Sequence, residues 1–386
     1  MSRVYLDHNA TTPVRPEVLA SMLPFFCDQY GNASSVHAFG QDAKGAMEEA
    51  RAQVSKFMNA TPGEIVFTGS GSESDNMGVL GAARMLASKG RHVVVSAIEH
   101  EAVRGAADAL EAEGFTVTRV PADGTGVVSA AAVEQALRPD TTLVSVMAAN
   151  NETGVIQPTA EIGAIAAARG VAFHVDAVQA AGKIPIDVQA WRASLATIAG
   201  HKFYGPKGVG ALYVKRGFRT SPLYFGGEQE RGRRAGTENV PAIVGLGAAA
   251  ELAQAELREK PAAIAALRDR MEEGILASVP HVMRHGTGAP RVCNTSHLSF
   301  VGAEGEHLIL SLDMKGIACS AGSACKAGSA HASHVLLGMG IPANIAQSAV
   351  RFSLGRSTTA ADIDRVLEVI PEIVKKLRAG SPSFAS

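Results

Sequence analysis

The chain is poor in the features that mark secreted, membrane or nucleic-acid-binding proteins. Its four cysteines, Cys27, Cys293, Cys319 and Cys325, match neither a disulfide framework nor the spacing of a zinc or C-x-x-C pair. Apolar runs such as VPAIVGLGAAA are too short to cross a bilayer, and MSRVYLDHNATTP lacks the apolar stretch of a signal peptide. A formal net charge of −1 argues against nucleic-acid or anionic-membrane surfaces. We therefore expect a cytoplasmic protein with reduced thiols, no nucleic-acid or membrane partner and no stable metal site.

What the chain does have is length and apolar content. It is 386 residues long, with 46% hydrophobic and 19% charged residues, which is enough for a large core and suggests two domains. Between about residues 64 and 210, short β-branched runs alternate with longer helical segments. This alternation predicts an α/β fold with a mostly parallel sheet, whose strands are EIVFT, HVVVSA, FTVTRV, TLVSVM, VAFHVD, LATIAG and VGALYV.

The pattern changes after about Asn239. One long helix is predicted through AAAELAQAELREKPAAIAALRDRMEEGIL, followed by strands at TSHLSF and AVRFSL and a terminal helix near TAADIDRVLEVIPEIVKKLRAG. We read this region as a smaller α/β domain. The predicted division is a large domain over residues 15–258 and a small domain formed by residues 1–14 and 259–386.

Polar or glycine-rich segments follow several of the predicted strands. Residues 69–74, GSGSES, follow EIVFT and suit a phosphate at a helix start, although a simple helix cap explains them equally well. His100 comes after HVVVSAI, an asparagine pair after LVSVMAA, Asp176 ends VAFHVD, and Lys202 follows LATIAG. Each residue taken alone has a structural explanation, such as a cap, a turn or a solvated charge. Together they fall on one edge of one sheet, where ligands bind in α/β folds.

One small molecule requires this combination, pyridoxal 5′-phosphate (PLP). Its aldehyde needs a lysine for a Schiff base, and its pyridine nitrogen needs an acidic partner to stay protonated. Its phosphate needs a cradle, and an imidazole suits its ring face. The sequence therefore predicts a PLP site around Lys202 and Asp176.

Ten segments then show a family resemblance that runs in order from about Val4 to the final helix: YLDHNATTP, GNASSVH, IVFTGSGSESDN, EHEAV, NNETG, HVDAVQAAGK, GHKFYGPKGVGALYV, ERGRRAGTEN, SAGSAC and VRFSLGR. They resemble the cysteine desulfurases of the class V aminotransferase superfamily. The resemblance implies the PLP-dependent transferase fold (aspartate aminotransferase-like, fold type I), with a seven-stranded sheet in the large domain. The long cysteine loop resembles the branch that serves iron–sulfur cluster assembly, and QERGRRAGTEN resembles the nitrogen-fixation (NifS-like) type.

The resemblance also implies a role for individual residues. Lys202 is expected to form the Schiff base, Asp176 to pair with the pyridine nitrogen, and His100 to stack on the ring and move protons. The other implied contacts are Gly71, Ser72 and His201 to the phosphate, Gln179 to the ring hydroxyl, Asn151 beside ring and substrate, Arg351 to the substrate carboxylate, and Thr237 from the neighbouring subunit of a homodimer. Ala199 departs from many relatives, which carry a hydroxyl there, and this removes one phosphate hydrogen bond, worth about 1 kcal/mol as a neutral contact and up to about 3 kcal/mol to a charged group.

The decisive cysteine is Cys325, which lies among Gly, Ser and Ala beside Lys326 in a predicted mobile loop at about residues 319–332. The neighbouring lysine favours the thiolate, whereas Cys319 ends a predicted strand and is read as a packing residue. The family motif also places the nucleophile at Cys325. The implied reaction moves sulfur from L-cysteine to a Cys325 persulfide and releases L-alanine. The sulfur then passes to an iron–sulfur scaffold or another acceptor, and Cys325 could transiently ligate a cluster with that partner.

Other functions remain open at this point. A selenocysteine lyase or another class V aminotransferase would keep PLP and change the outcome of the reaction. A non-catalytic sulfur or cluster scaffold would keep the fold alone, but the joint presence of Lys202, Asp176, His100 and Arg351 argues against it. A nicotinamide dehydrogenase is disfavoured because no Rossmann glycine fingerprint follows an early strand.

Overall fold

The computed structural model describes residues 3–321 and 332–380, so Cys325 and most of the predicted cysteine loop lie outside the described residues. The strands in the described range are β1 Val4–Tyr5, β2 Ile65–Thr68, β3 His92–Ser96, β4 Thr116–Val120, β5 Thr141–Ser145, β6 Ala172–Asp176, β7 Leu195–Ala199, β8 Gly210–Val214, β9 Val282–Arg284, β10 Thr295–Phe300, β11 Ile317–Ala318 and β12 Ala349–Ser353. All nine strands predicted from the sequence are present.

The helices of the described residues are α1 Pro16–Met22, α2 Pro24–Cys27, α3 Ala38–Phe57, α4 Gly71–Leu86, α5 Glu101–Ala112, α6 Ala130–Ala136, α7 Thr159–Ala168, α8 Gln229–Gly232, α9 Val240–Glu256, α10 Lys260–Ser278, α11 Gly305–Asp313, α12 His334–Gly338, α13 Ala343–Ala346 and α14 Ala360–Ala379. Short 3-10 turns cover Pro62–Glu64 and Gly200–Lys202. None of these helices alone is long and apolar enough to cross a membrane. Only α9 and α10 together, as a pair bent by 77°, have the length and apolar composition of a membrane span.

The prediction of a single long helix after Asn239 is wrong. Two helices, α9 and α10, replace it, and they meet at an angle of 77°. Pro261 lies in the first turn of α10. Proline lacks the backbone N–H of a continuing helix, and its ring collides with the carbonyl four residues earlier, so the helix ends and restarts.

The large sheet has seven strands in the order β2-β8-β7-β6-β5-β3-β4. Strand β8 is antiparallel to both of its neighbours, and the other pairings are parallel. The carboxyl ends of β2, β3, β5, β6 and β7 therefore meet at one edge. Every residue of these five strands and of β8 is buried, as expected for a sheet covered by helices on both faces.

Alternate residues of these strands pack into two separate apolar clusters. Phe173 and Val175 of β6 join one cluster with residues of α3, α7 and α9. Ala172 and Leu195 join the other, which α4 and α5 complete. The two clusters occupy opposite faces of the sheet because successive side chains of a strand point in opposite directions.

A third apolar cluster lies around the smaller sheets. It joins β1 and β11 with β10, β12, α10, α11 and α14. The first cluster also takes in Val335, Leu336 and Ala349, so the segment after residue 331 packs against the core of the large sheet. The division into residues 15–258 and residues 1–14 plus 259–386 stays a prediction.

Candidate active site

A cavity of about 320 Å³ opens at the edge of the large sheet where the parallel strands end. Its volume lies in the range of small-molecule sites. It brings together nine of the predicted site residues: Gly71, Ser72, His100, Asn151, Asp176, Gln179, His201, Lys202 and Arg351. Residues predicted from five separate strand ends, together with Arg351 of the small sheet, thus line a single cavity.

Lys202 reaches the cavity because β7 ends in a tight turn. Ala199 is the last strand residue, and the 3-10 turn Gly200–Lys202 follows at once. The amides of Phe203 and Gly205 both donate to the carbonyl of Gly200, which closes this turn. The ammonium of Lys202 donates to the carbonyl oxygens of Asn9 at 2.6 Å and Ala10 at 2.9 Å. The amine is therefore held beside the N-terminal segment of the chain.

Asp176 and His100 are ionisable residues in the lining of the cavity. Asp176 is the final residue of β6, and one carboxylate oxygen accepts the amide of Val178 at 2.9 Å. Burial raises the pKa of Asp176, while His100 and Lys202 oppose that rise. Burial lowers the pKa of His100, which caps α5 by accepting the amide of Ala102 at Nδ1. A cation placed against Asp176 would favour its charged form.

The segment GSGSES makes both a helix cap and a wall of the cavity. The Ser70 hydroxyl accepts the amide of Glu73 at 3.1 Å, while Gly71 and Ser72 line the cavity in the first turn of α4. The amides of a first helical turn have no intrahelical acceptor, and the helix dipole favours an anion there. Gly210 allows this arrangement, because a Cβ atom at that position would lie 2.8 Å from the backbone of Ser70. The cap and phosphate interpretations are therefore compatible.

Arg351 forms the opposite end of the cavity. It lies on β12 of the small sheet and is buried. Its guanidinium donates to the carboxylate of Asp7 at 2.9 Å and to the carbonyl of Asn151 at 3.0 Å. These contacts fix the orientation of a cation at the cavity wall, as recognition of a carboxylate requires.

The two asparagines of NNETG have different roles. Asn150 makes a turn, because its side-chain oxygen accepts the amides of Glu152 and Thr153, both at 2.9 Å. Asn151 lines the cavity, and its side-chain oxygen is buried without a hydrogen-bond partner among the described residues. Such an atom is costly unless a ligand pairs with it.

Several residues of the site were not predicted. Asn9 makes hydrogen bonds to Asn151, Thr295 and Ser353. Its carbonyl oxygen accepts a hydrogen bond from the Lys202 ammonium. Asn9 therefore joins three distant segments at the cavity. The buried carboxyls Asp75, Glu99 and Glu152 surround the site, two of them in its lining. The motif YLDHNATTP was the only sequence signal for Asn9, because its partners lie far away along the chain.

Two predicted residues are not among the residues that line the cavity. Thr237 is exposed on the connection between α8 and α9. A buried ion pair between Arg51 and Glu230, with two 2.8 Å contacts, anchors the start of that connection. Cys325 lies outside the described residues. Cys319 is buried, and burial raises the pKa of its thiol, in agreement with its prediction as a packing residue.

The donors of the cavity fit PLP. The first turn of α4 suits a phosphate, the Asp176 carboxylate suits a protonated ring nitrogen, and the Lys202 amine suits an aldehyde. The unpartnered oxygen of Asn151 lies in the same wall. Lys202, Gln179, Gly71, Ser72 and His201 are the residues that would complete the binding of this group.

Comparisons with known proteins identify the family of the chain. The family model "Aminotransferase class-V" matches residues 4–366. The chain is 48% identical to "Cysteine desulfurase IscS" of Methanosarcina thermophila, over 98% of this chain and 94% of the relative. The solved structure titled "NIFS-LIKE PROTEIN" superposes with a TM-score of 0.91 at 38% identity, covering 97% of this chain and all of the other. "SspA in complex with cysteine" gives a TM-score of 0.81 at 35% identity, covering 91% and 98%.

A family whose members use PLP thus matches almost the whole chain in sequence and in fold. The predicted fold class is confirmed. The chain belongs to the class-V aminotransferase family of fold type I enzymes.

Proposed function

We propose that the protein is a PLP-dependent cysteine desulfurase that supplies sulfur for iron–sulfur cluster assembly. The observation that carries this proposal is a single cavity whose lining brings together Lys202, Asp176 and Arg351. It is supported by a relative named as a cysteine desulfurase at 48% identity over nearly the full length. A structural neighbour whose title records bound cysteine supports L-cysteine as the substrate.

When bound, PLP supplies an aldehyde for the Lys202 amine and a ring that withdraws electrons from the substrate α-carbon. The chain's own residues orient the substrate and move its protons. Asp176 holds a proton on the ring nitrogen, and Arg351 binds the substrate carboxylate. Lys202, as a free amine, would take the α-proton of the substrate. His100, with its pKa lowered by burial, is neutral near pH 7 and can accept a proton within the cavity.

Cys325 is the proposed sulfur acceptor. Its thiolate attacks the sulfur of L-cysteine, so that a sulfur–sulfur bond forms as the substrate's carbon–sulfur bond breaks. The electron pair of the broken bond stays with the carbon fragment, which takes up protons and leaves as L-alanine. The persulfide carries the sulfur to an acceptor protein, and Cys325 could transiently ligate a cluster there. A role in nitrogenase maturation is the finer proposal, based on the QERGRRAGTEN segment.

A cytoplasmic homodimer is the proposed working form, with Thr237 reaching the phosphate of the neighbouring subunit. Thr237 is exposed and lies after a connection that the Arg51–Glu230 pair anchors. Phe225, which precedes α8, is 87% exposed, and an aromatic side chain with this exposure suits burial against a partner. Replacing Thr237 with Val should lower cofactor affinity only where two chains associate.

The test is alanine formation from L-cysteine by the PLP-loaded protein, in the presence of a reductant. Wild-type protein should release alanine and sulfide in equal amounts. Cys325→Ala should abolish both products while the visible absorption of the bound cofactor stays intact, and Cys319→Ala should behave like wild type. Cysteine turnover that survives Cys325→Ala would overturn desulfuration through this thiol. Turnover of selenocysteine alone would favour the lyase alternative.

A further inference from the structure

A buried carboxyl without a role in the scheme above lies next to Arg351. Glu152 has no exposed surface, and one of its oxygens accepts the hydroxyl of Ser333. Its other oxygen is buried without a hydrogen-bond partner among the described residues. The side chain nevertheless belongs to the lining of the cavity. An ionised carboxylate at this place would lose its hydration and gain only one hydrogen bond from a neutral group. Burial therefore disfavours the ionised form of Glu152.

Hydrogen bonds to the backbone connect Glu152 with the substrate end of the cavity. The Arg351 guanidinium donates at 3.0 Å to the carbonyl of Asn151, the peptide group that leads into Glu152. The amide of Glu152 is fixed by the side chain of Asn150. Arg351 therefore makes an ion pair with Asp7, and its positive charge also acts on the buried carboxyl of Glu152.

The charge of Glu152 decides what Arg351 can bind. With Glu152 uncharged, Arg351 and Asp7 together carry no net charge, and the guanidinium can accept a further carboxylate. With Glu152 ionised, the carboxylates of Asp7 and Glu152 both act on one guanidinium, and a third carboxylate would be repelled. Burial raises the pKa of Glu152 to about 7, although Ser333 and Arg351 oppose that rise. The acid is thus uncharged on the acidic side of neutrality and ionises above it.

We propose that Glu152 is a positioning residue that, as an uncharged acid, leaves Arg351 available to the carboxylate of the amino-acid substrate. Ionisation of Glu152 then sets the alkaline limit of substrate binding. This inference rests on the proposed function, because it requires that Arg351 receive that carboxylate. It assigns no contact between Glu152 and the substrate, and Glu152 acts through Arg351.

Other ionisable groups face Glu152 and must be separated from it. Glu101 and Arg104 of α5 form an ion pair at 2.7 Å. His334 of α12 bonds to the carbonyl of Glu99 and lies 3.8 Å from Glu101. Asp7 pairs with Arg351. Glu101 also lines the cavity but is partly exposed and paired with a cation, so its neutral variant is a matched control.

The experiment measures ligand affinity of the PLP-loaded protein, by calorimetry and by the change in cofactor absorbance. The probes are L-alanine and L-alaninamide, which share an amino group but differ in the carboxylate. Affinity for L-alanine, relative to L-alaninamide, should fall about tenfold between about pH 6 and about pH 8, since each anion disfavours the other. An equal pH dependence for the two ligands would overturn the inference.

Variants identify the titrating group. Glu152→Gln should bind L-alanine with the affinity of the wild type at low pH and should lose the carboxylate-specific pH dependence. Glu101→Gln should keep a carboxylate-specific pH dependence, moved to lower pH because the charge of Glu101 helps to raise the pKa of Glu152. A pH dependence that persists in Glu152→Gln would assign the titration to another group, such as His334, and would refute the role of Glu152. If Glu152→Gln does not fold, an equal pH dependence of the two ligands in the wild-type protein would still overturn the inference.

The failure of the inference differs from the failure of the proposed function. If neither L-alanine nor L-alaninamide perturbs the cofactor, amino acids are not the ligands and the proposed function is wrong. If L-alanine binds with an affinity that does not respond to pH in this range, the proposed function stands and the inference about Glu152 is wrong.

Discussion

The two ends of the cavity are built in different ways. The cofactor end consists of residues that directly follow strands of one sheet, such as His100, Asp176 and Lys202. The substrate end joins Arg351 of the small sheet to Asp7 near the N-terminus and to the turn at Asn151. One end is fixed by a single sheet, whereas the other depends on how separate parts of the chain pack together.

This difference has a functional meaning. Residues on the edge of a fully buried parallel sheet keep their relative positions, which suits a cofactor that must stay in place through many turnovers. A substrate must enter and leave, and Arg351 meets it from an element outside that sheet. The comparison predicts that changes at the cofactor end reduce the rate, whereas changes at the substrate end reduce affinity.

The largest effect is expected at the cofactor end. Asp176→Asn removes the anion that favours a protonated ring nitrogen, so kcat should fall by about a hundredfold or more. Bound cofactor should be retained, because Lys202 and the first turn of α4 are unchanged. Steady-state kinetics and the absorption spectrum measure the two effects. Asp75→Asn changes another buried carboxyl of the same cavity, and a loss of kcat greater than that of Asp176→Asn would contradict the assignment.

An intermediate effect is expected at the substrate end. Arg351→Lys keeps the positive charge but loses the planar pair of donors, so KM for L-cysteine should rise about tenfold or more. The bound cofactor should be unaffected. Arg356→Lys is the matched control, because Arg356 is partly exposed and pairs with Glu256. A fall in cofactor content with KM unchanged would show that the two ends are not separable.

The smallest effect is expected at Ala199, where many relatives carry a hydroxyl. Ala199→Ser should tighten PLP binding about fivefold, corresponding to about 1 kcal/mol for one additional neutral hydrogen bond. Titration of the apo-protein with PLP measures this change, and Ala199→Gly should show no gain. The Ala199 side chain lies close to Gly71, since a Cβ atom at position 71 would be 3.0 Å from it. Weaker binding in Ala199→Ser would mean that this crowding outweighs the hydroxyl.

The cofactor end could be predicted from sequence because its signals are local. Buried strands appear as short β-branched runs, and the residue after each run lies at the sheet edge by the geometry of parallel strands. His100, Asp176 and Lys202 were found in this way. The long helix after Asn239 was predicted wrongly because apolar and alanine-rich composition outweighed the effect of Pro261.

The substrate end could not be derived from local signals. Asn9 contacts Asn151 and Ser353, which lie 142 and 344 residues away along the chain. Glu152 reads as an ordinary polar turn residue, and only tertiary packing shows that it is buried beside Arg351. Arg351 itself was found through family resemblance rather than through periodicity. Contacts between distant segments carry no local pattern of their own.

The central claim is that the Lys202 amine bonds to the cofactor, and it has a close competitor. Lys183 lies near Lys202, and removal from solvent lowers its pKa to about 7, so it too could react with an aldehyde. The direct measurement is borohydride reduction of the PLP-loaded protein, followed by proteolysis and mass spectrometry. The account predicts the reduced cofactor on the peptide that contains Lys202, and its loss in Lys202→Ala. Cofactor on Lys183, or full activity in Lys202→Ala, would contradict it.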